Sequence, residues 1–169
     1  MGESLGFSKV KNKSSLLSLF IIILFTEAVL ILSAYLGVFK IETYSNLIKP
    51  SFAPPMWVYA IIWPLVYLIM AFAAYRIWML KKQEEYIGRA VKLYFIQLFL
   101  NFIWIILFLR FRLVGLAFLE LMLLIVFVML TTFEFFRINK FSGLVMVPYI
   151  IWLCFTGVLN FAFWMLNNM

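Results

Sequence analysis

The sequence predicts an all-α integral membrane protein, a single bundle of five transmembrane helices. Three observations predict it. Of the 169 residues, 67% are hydrophobic and only 12% charged, with a mean hydropathy of +1.09, outside the range of soluble domains. The apolar residues gather into five runs, each long enough to supply the roughly 20 helical residues that cross about 30 Å of hydrocarbon. The basic residues fall at the ends of those runs instead of forming one patch, so they read as orientation signals and no nucleic-acid partner is expected.

Residues 1–13 form a basic tail with Lys9, Lys11 and Lys13, and residues 14–169 form the membrane domain. The first span covers 14–38. Its apolar stretch is longer than a signal-peptide core, contains Glu27 and shows no clear cleavage pattern at Ser33-Ala34, so it reads as a retained helix. The second span, 57–80, follows a loop rich in proline. Pro54 and Pro55 cannot continue a helix from upstream, but they suit the first turn of the next one, where a missing N–H would have been unpaired anyway. Inside this span Trp63, Tyr67 and Met70 recur at helical spacing and share a face. Pro64 bends the same span and frees a carbonyl. A stiff loop above an aromatic stripe resembles a lid over a flat apolar ligand. The third span, 90–109, carries Gln97, Asn101 and Trp104; the fourth, 113–136, carries Glu120; the fifth, 142–166, carries Trp152, Thr156 and Asn160. Cys154 is the single cysteine, so no disulfide framework or thiolate metal cluster is expected, and it reads as a packing residue.

Five spans place the termini on opposite sides. Lys9, Lys11, Lys13, Arg76, Lys81, Lys82, Arg89, Lys92, Arg137 and Lys140 fall on one side, against Lys40, Lys49, Arg110 and Arg112 on the other. In a plasma membrane that asymmetry puts the N-terminus in the cytoplasm and the C-terminus outside, with the proline-rich loop facing outward.

The motifs of metal hydrolysis, nucleotide binding and serine catalysis are missing, and no metal site or required cofactor is expected. The informative residues are intramembrane polar groups, which are costly in lipid and therefore face the bundle interior. For Gln97, Asn101 and Asn160, interhelical hydrogen bonding ranks ahead of direct ligand contact. For Glu27 and Glu120, a neutral carboxyl and a paired carboxylate are equally open readings. Glu134, three residues before Arg137, reads as half of a local ion pair at the headgroups. Trp78 and Trp164 fall near span ends, where indoles anchor in the interface. Trp63, Trp104 and Trp152 lie deeper, and core packing and pocket lining are about equally favoured for them.

With these residues in hand, the chain resembles the TspO/MBR family, the translocator proteins once called peripheral benzodiazepine receptors. The resemblance runs from about residue 41 to 167. It is carried by Tyr44, Lys49-Pro50-Ser51, Pro54-Pro55 and Trp57, then Trp63 and Tyr67, then Gln97-Leu98-Phe99-Leu100-Asn101 and Trp104, then Glu120, and finally Pro148-Tyr149, Trp152 and Val158-Leu159-Asn160. It implies five helices whose first loop covers a pocket for flat hydrophobic molecules: tetrapyrroles such as protoporphyrin, sterols in animals, and synthetic benzodiazepine-type ligands. Trp63 and Trp152 match the pocket tryptophans linked to light-dependent porphyrin breakdown, which makes them the catalytic candidates if such chemistry occurs. Tyr44, Asn101 and Thr156 match other pocket positions. Pro54, Pro55, Trp57, Tyr67 and Trp104 complete the candidate ligand-binding set.

The reading is therefore a sensor or carrier of protoporphyrin-like tetrapyrroles. The alternatives are a light- and oxygen-dependent porphyrin-degrading enzyme and a transporter of an apolar solute. The resemblance also implies a homodimer, although residues 95–109 of the third span are bulky and lack a small-xxx-small face. Phe52 stands where the family often has tryptophan. The animal sterol pattern needs a tyrosine followed closely by Lys or Arg, and residues 161–169 contain neither, so cholesterol transport is not expected. A bacterial plasma membrane fits the short basic leader better than an organelle does.

Overall fold

The computed structural model describes residues 13–38, 47–80 and 84–167. The basic tail up to residue 12, Lys40, Tyr44, Lys81 and Lys82 lie outside the described residues. Helix α1 is Lys13–Val38, α2 is Met56–Met79 and α3 is Glu84–Ile105, which runs into a π-helical turn at Ile106–Arg110. Helix α4 is Val114–Ile138, a short α5 is Lys140–Val145 and α6 is Val147–Asn167. They give five spans long and apolar enough to cross a membrane, with α5 and α6 together making the fifth.

The fifth span is broken where the sequence suggested one helix. Pro148 has no N–H and its ring crowds the carbonyl one turn upstream, so α5 cannot pass straight into α6. Instead, the backbone N–H of Met146 turns back onto the carbonyls of Gly143 and Leu144. Asn139 caps the start of α5, its Oδ1 accepting from Ser142 N at 2.9 Å and from Ser142 Oγ at 3.1 Å.

Helix α1 packs on α2 and on the C-terminal half of α3 with its π turn; α3 pairs with α4, and α4 with α5 and α6. Small and weakly polar residues mark the buried faces: Thr26 and Ser33 on α1, Ala71 and Ala73 on α2, Ala90 on α3, Ala117 and Thr131 on α4. In a bilayer this is expected, because lipid tails are as apolar as leucine and close helix approach needs small side chains. The outer faces keep Phe20, Leu24, Leu119 and Val158 exposed to the hydrocarbon. Cys154 is also on the outside, which corrects its reading as a packing residue: the side facing lipid is as apolar as the core, so an apolar run does not say which way a residue points.

Polar residues tie the bundle together. Thr26 Oγ1 and the Tyr94 hydroxyl lie 2.5 Å apart between α1 and α3, and Asn101 Nδ2 donates to the Tyr149 hydroxyl at 2.5 Å between α3 and α6. Glu134 is buried and pairs with Arg137 at 3.7 Å, as its spacing suggested, and also with Arg89 at 3.3 Å, which joins α3 to the end of α4. Neither oxygen of Glu120, nor Glu27 Oε1, has a hydrogen-bond partner among the described residues.

Candidate functional site

The C-terminal parts of α1, α3 and α6 and the N-terminal part of α2 all lie at one end of the bundle. Between them is a cavity of about 400 Å³, within the range that holds small organic ligands. Its wall is almost wholly apolar. Helix α1 contributes Leu30, Ala34 and Gly37; a Cβ at Gly37 would stand 3.2 Å from Leu109, so the missing side chain lets α1 close against the π turn that follows α3. Helix α2 contributes Met56, Tyr59, Ala60, Trp63 and Pro64, and α6 contributes Thr156, Asn160 and Phe163.

An aromatic cluster forms one side. The Trp63 ring lies 5.4 Å from Trp104 at a 34° tilt, and 6.2 Å edge-on from both Tyr67 and Trp152. Trp104 continues onto Phe108 at 5.6 Å in a stacked pair. Its indole is held by Asn160, whose Oδ1 accepts from Trp104 Nε1 at 3.0 Å while its Nδ2 donates to the Val114 carbonyl at 2.9 Å. One asparagine from α6 thereby fixes a tryptophan of α3 and the start of α4.

Of the candidate ligand-binding set, Trp63, Trp104 and Thr156 line the cavity, as do Pro64 and Asn160, which the sequence had marked for a helix bend and an interhelical tie. Tyr67 and Asn101 are fully buried and Trp152 is half-buried; these three stand outside the lining, with Tyr67 and Trp152 against Trp63. Pro54 and Pro55 lead directly into α2, and Trp57 on its first turn is 65% exposed, so its indole faces the surroundings and not the cavity. Tyr44 falls outside the described residues. The sequence reading missed Leu30, Ala34 and Gly37 of α1, and Phe108 and Phe163. A faint signal existed in the small residues Ser33, Ala34 and Gly37, spaced for close helix approach.

The proline loop is fastened at this end of the bundle. Within it, Ala53 N donates to the Pro50 carbonyl at 3.0 Å, closing a turn. Asn167, the last residue of α6, holds both backbone groups of Ile48: its Oδ1 accepts from Ile48 N at 2.9 Å and its Nδ2 donates to Ile48 O at 3.0 Å. Exposed neutral hydrogen bonds contribute about 0.5–1.5 kcal/mol each. Asn167→Ala is therefore expected to speed hydrogen exchange at the Ile48 amide about tenfold or more while leaving exchange in α4 unchanged.

This geometry can be set beside known proteins. A family model described as the TspO/MBR family matches residues 17–165. The chain belongs to the TspO/MBR family. Among curated members, it is 35% identical over 126 residues to the tryptophan-rich sensory protein of Cereibacter sphaeroides, covering 75% of this chain and 77% of that one. It is 33% identical over 124 residues to the protein CrtK of Rhodobacter capsulatus, covering 73% of this chain and 78% of the relative. It is 33% identical over 128 residues to the human translocator protein, covering 74% and 75% respectively. Membership of the TspO/MBR family and the five apolar spans together make this an integral membrane protein.

Proposed function

We propose that this TspO/MBR protein binds flat hydrophobic molecules, protoporphyrin-like tetrapyrroles among them, in the cavity beneath its first loop, and acts as a sensor or carrier for them. The observation that carries the reading is the cavity itself: about 400 Å³, apolar, walled on one side by Trp63, Trp104 and Phe108, and placed beside a loop that Asn167 fastens. A planar ring gains both burial and stacking against such a wall. The names of two relatives, a sensory protein and a translocator, agree with a ligand-handling role. Trp63, Trp104 and Thr156 would touch the ligand. Tyr67, Asn101 and Trp152 would set the position of that wall from behind, and Pro54, Pro55 and Trp57 stand at the junction of the loop with α2; Tyr44 remains a ligand-binding candidate by resemblance alone. The short basic leader supports a bacterial plasma membrane, and in such a membrane the basic asymmetry supports an N-terminus in the cytoplasm, so that the cavity lies in the outer half. A homodimer is part of the proposal.

The test is titration of purified protein with protoporphyrin in the dark. Trp63→Phe is expected to weaken binding about tenfold, the loss of roughly 1.4 kcal/mol of ring contact. Unchanged affinity in both Trp63→Phe and Trp152→Phe would remove the aromatic wall from the site. The ring contacts of Trp63 with Trp104 and Trp152 also favour a second reading, light- and oxygen-dependent porphyrin breakdown, since an indole beside an excited porphyrin is an electron donor. Illumination of the bound sample separates the two: porphyrin loss over several equivalents marks an enzyme, and loss that stops at one equivalent marks damage to the protein.

A further inference from the structure

Pro64, on the cavity wall, cannot donate to the turn before it in α2. Pro64 has no N–H, so the carbonyl one turn upstream, that of Ala60, lacks its intrahelical donor. Ala60 and Pro64 both line the cavity, and Ala60 is exposed. Within hydrocarbon there is no bulk water to satisfy such a group, so a donor brought by a ligand meets a carbonyl that gains from pairing.

Three of the other polar side chains on the wall are committed: Trp104 Nε1 and Asn160 Oδ1 serve each other, Asn160 Nδ2 serves the Val114 carbonyl, and Thr156 Oγ1 donates to the Trp152 carbonyl at 2.8 Å. Tyr59 also lines the cavity, with its hydroxyl buried. An unpartnered donor, Trp152 Nε1, belongs to a residue outside the lining. Among the described residues, no Lys, Arg, Asp or Glu is on the wall. A ligand charge placed there would be stripped of water without receiving a partner.

We infer that the cavity selects a flat, uncharged apolar body with one N–H or O–H donor at its edge, and that the Ala60 carbonyl released by Pro64 is the atom that reads this donor. The inference rests on the cavity being the ligand site proposed above, and it narrows the class of molecule that site takes. Acidic side chains of a larger ligand, such as the propionates of a tetrapyrrole, stay outside the cavity.

The probes are carbazole, a flat tricycle with one N–H, and N-methylcarbazole, which differs only in lacking that donor. Their affinities are measured for the wild type and for Pro64→Ala. The substitution restores an amide N–H that closes the bond to Ala60, and alanine suits a helix interior better than proline, so the fold is retained. Carbazole is expected to bind the wild type about five- to tenfold more tightly than its methylated partner. In Pro64→Ala that preference falls to about one, and unequal partitioning of the probes into detergent cancels between the two proteins. The same preference in both proteins would overturn the assignment to Ala60. Saturable binding of neither probe to the wild type would overturn it as well. If protoporphyrin fails to bind while the carbazole pair behaves as stated, the tetrapyrrole reading falls and this one stands.

Discussion

Gly143→Ala is expected to cost more than about 3 kcal/mol and to leave little folded protein at ordinary growth temperature. A Cβ at Gly143 would meet Phe136 Cβ at 2.5 Å, Cα at 2.6 Å and N at 2.8 Å. Two of those atoms are backbone of α4, so no rotamer change relieves the clash and α5 must move off α4. Asn139 would then lose its grip on Ser142, and the start of the fifth span would lose its register. Thermal unfolding in detergent checks this. The control is Gly88→Ala, where a Cβ meets nothing within 4 Å and where alanine is expected to be neutral or slightly stabilising.

The second large effect is expected at Asn160. Asn160→Leu preserves approximate volume but removes the acceptor of Trp104 Nε1 and the donor to the Val114 carbonyl. An orphaned indole N–H in a lipid-surrounded core costs about 1–3 kcal/mol, and the lost bond to Val114 adds about 1 kcal/mol, giving roughly 2–4 kcal/mol in all. Because Trp104 carries the cavity wall, ligand affinity falls with stability. The diagnostic is a double-mutant cycle: in a Trp104→Phe background there is no indole N–H to orphan, so Asn160→Leu is expected to cost at least about 1 kcal/mol less. Additive losses would show that the two side chains act independently.

The legible and illegible parts of this molecule divide along physical lines. Span positions could be read because the bilayer imposes a length on every crossing helix, and composition reports it directly. The stripe of Trp63, Tyr67 and Met70 could be read because α2 turns it inward as one row, and all three are buried. Asn101 and Asn160 could be read as interhelical ties because an amide in hydrocarbon must find a partner. The share of α1 in the cavity could not be read. That helix is apolar all round, so periodicity carries no direction, and only Ser33, Ala34 and Gly37 hint at its inner face. The break at Met146 was likewise hidden within an unbroken apolar run, although Pro148 was its cause. Trp57 shows the opposite limit: its place beside the proline pair suggested a pocket residue, whereas the first turn of α2 points it outward.

The central claim is that the cavity between α1, α2, α3 and α6 is where the ligand sits, and filling it tests that claim most directly. Ala34 lies on the cavity wall, and Ala34→Phe would place a ring in the space a ligand needs while leaving Trp63, Trp104 and the loop untouched. Protoporphyrin affinity is measured in the dark by quenching of porphyrin emission, for the wild type and for this variant. The account predicts saturable binding by the wild type and a loss of at least about tenfold in Ala34→Phe, with the unfolding temperature little changed. Equal affinity in the two proteins would mean that the ligand binds elsewhere.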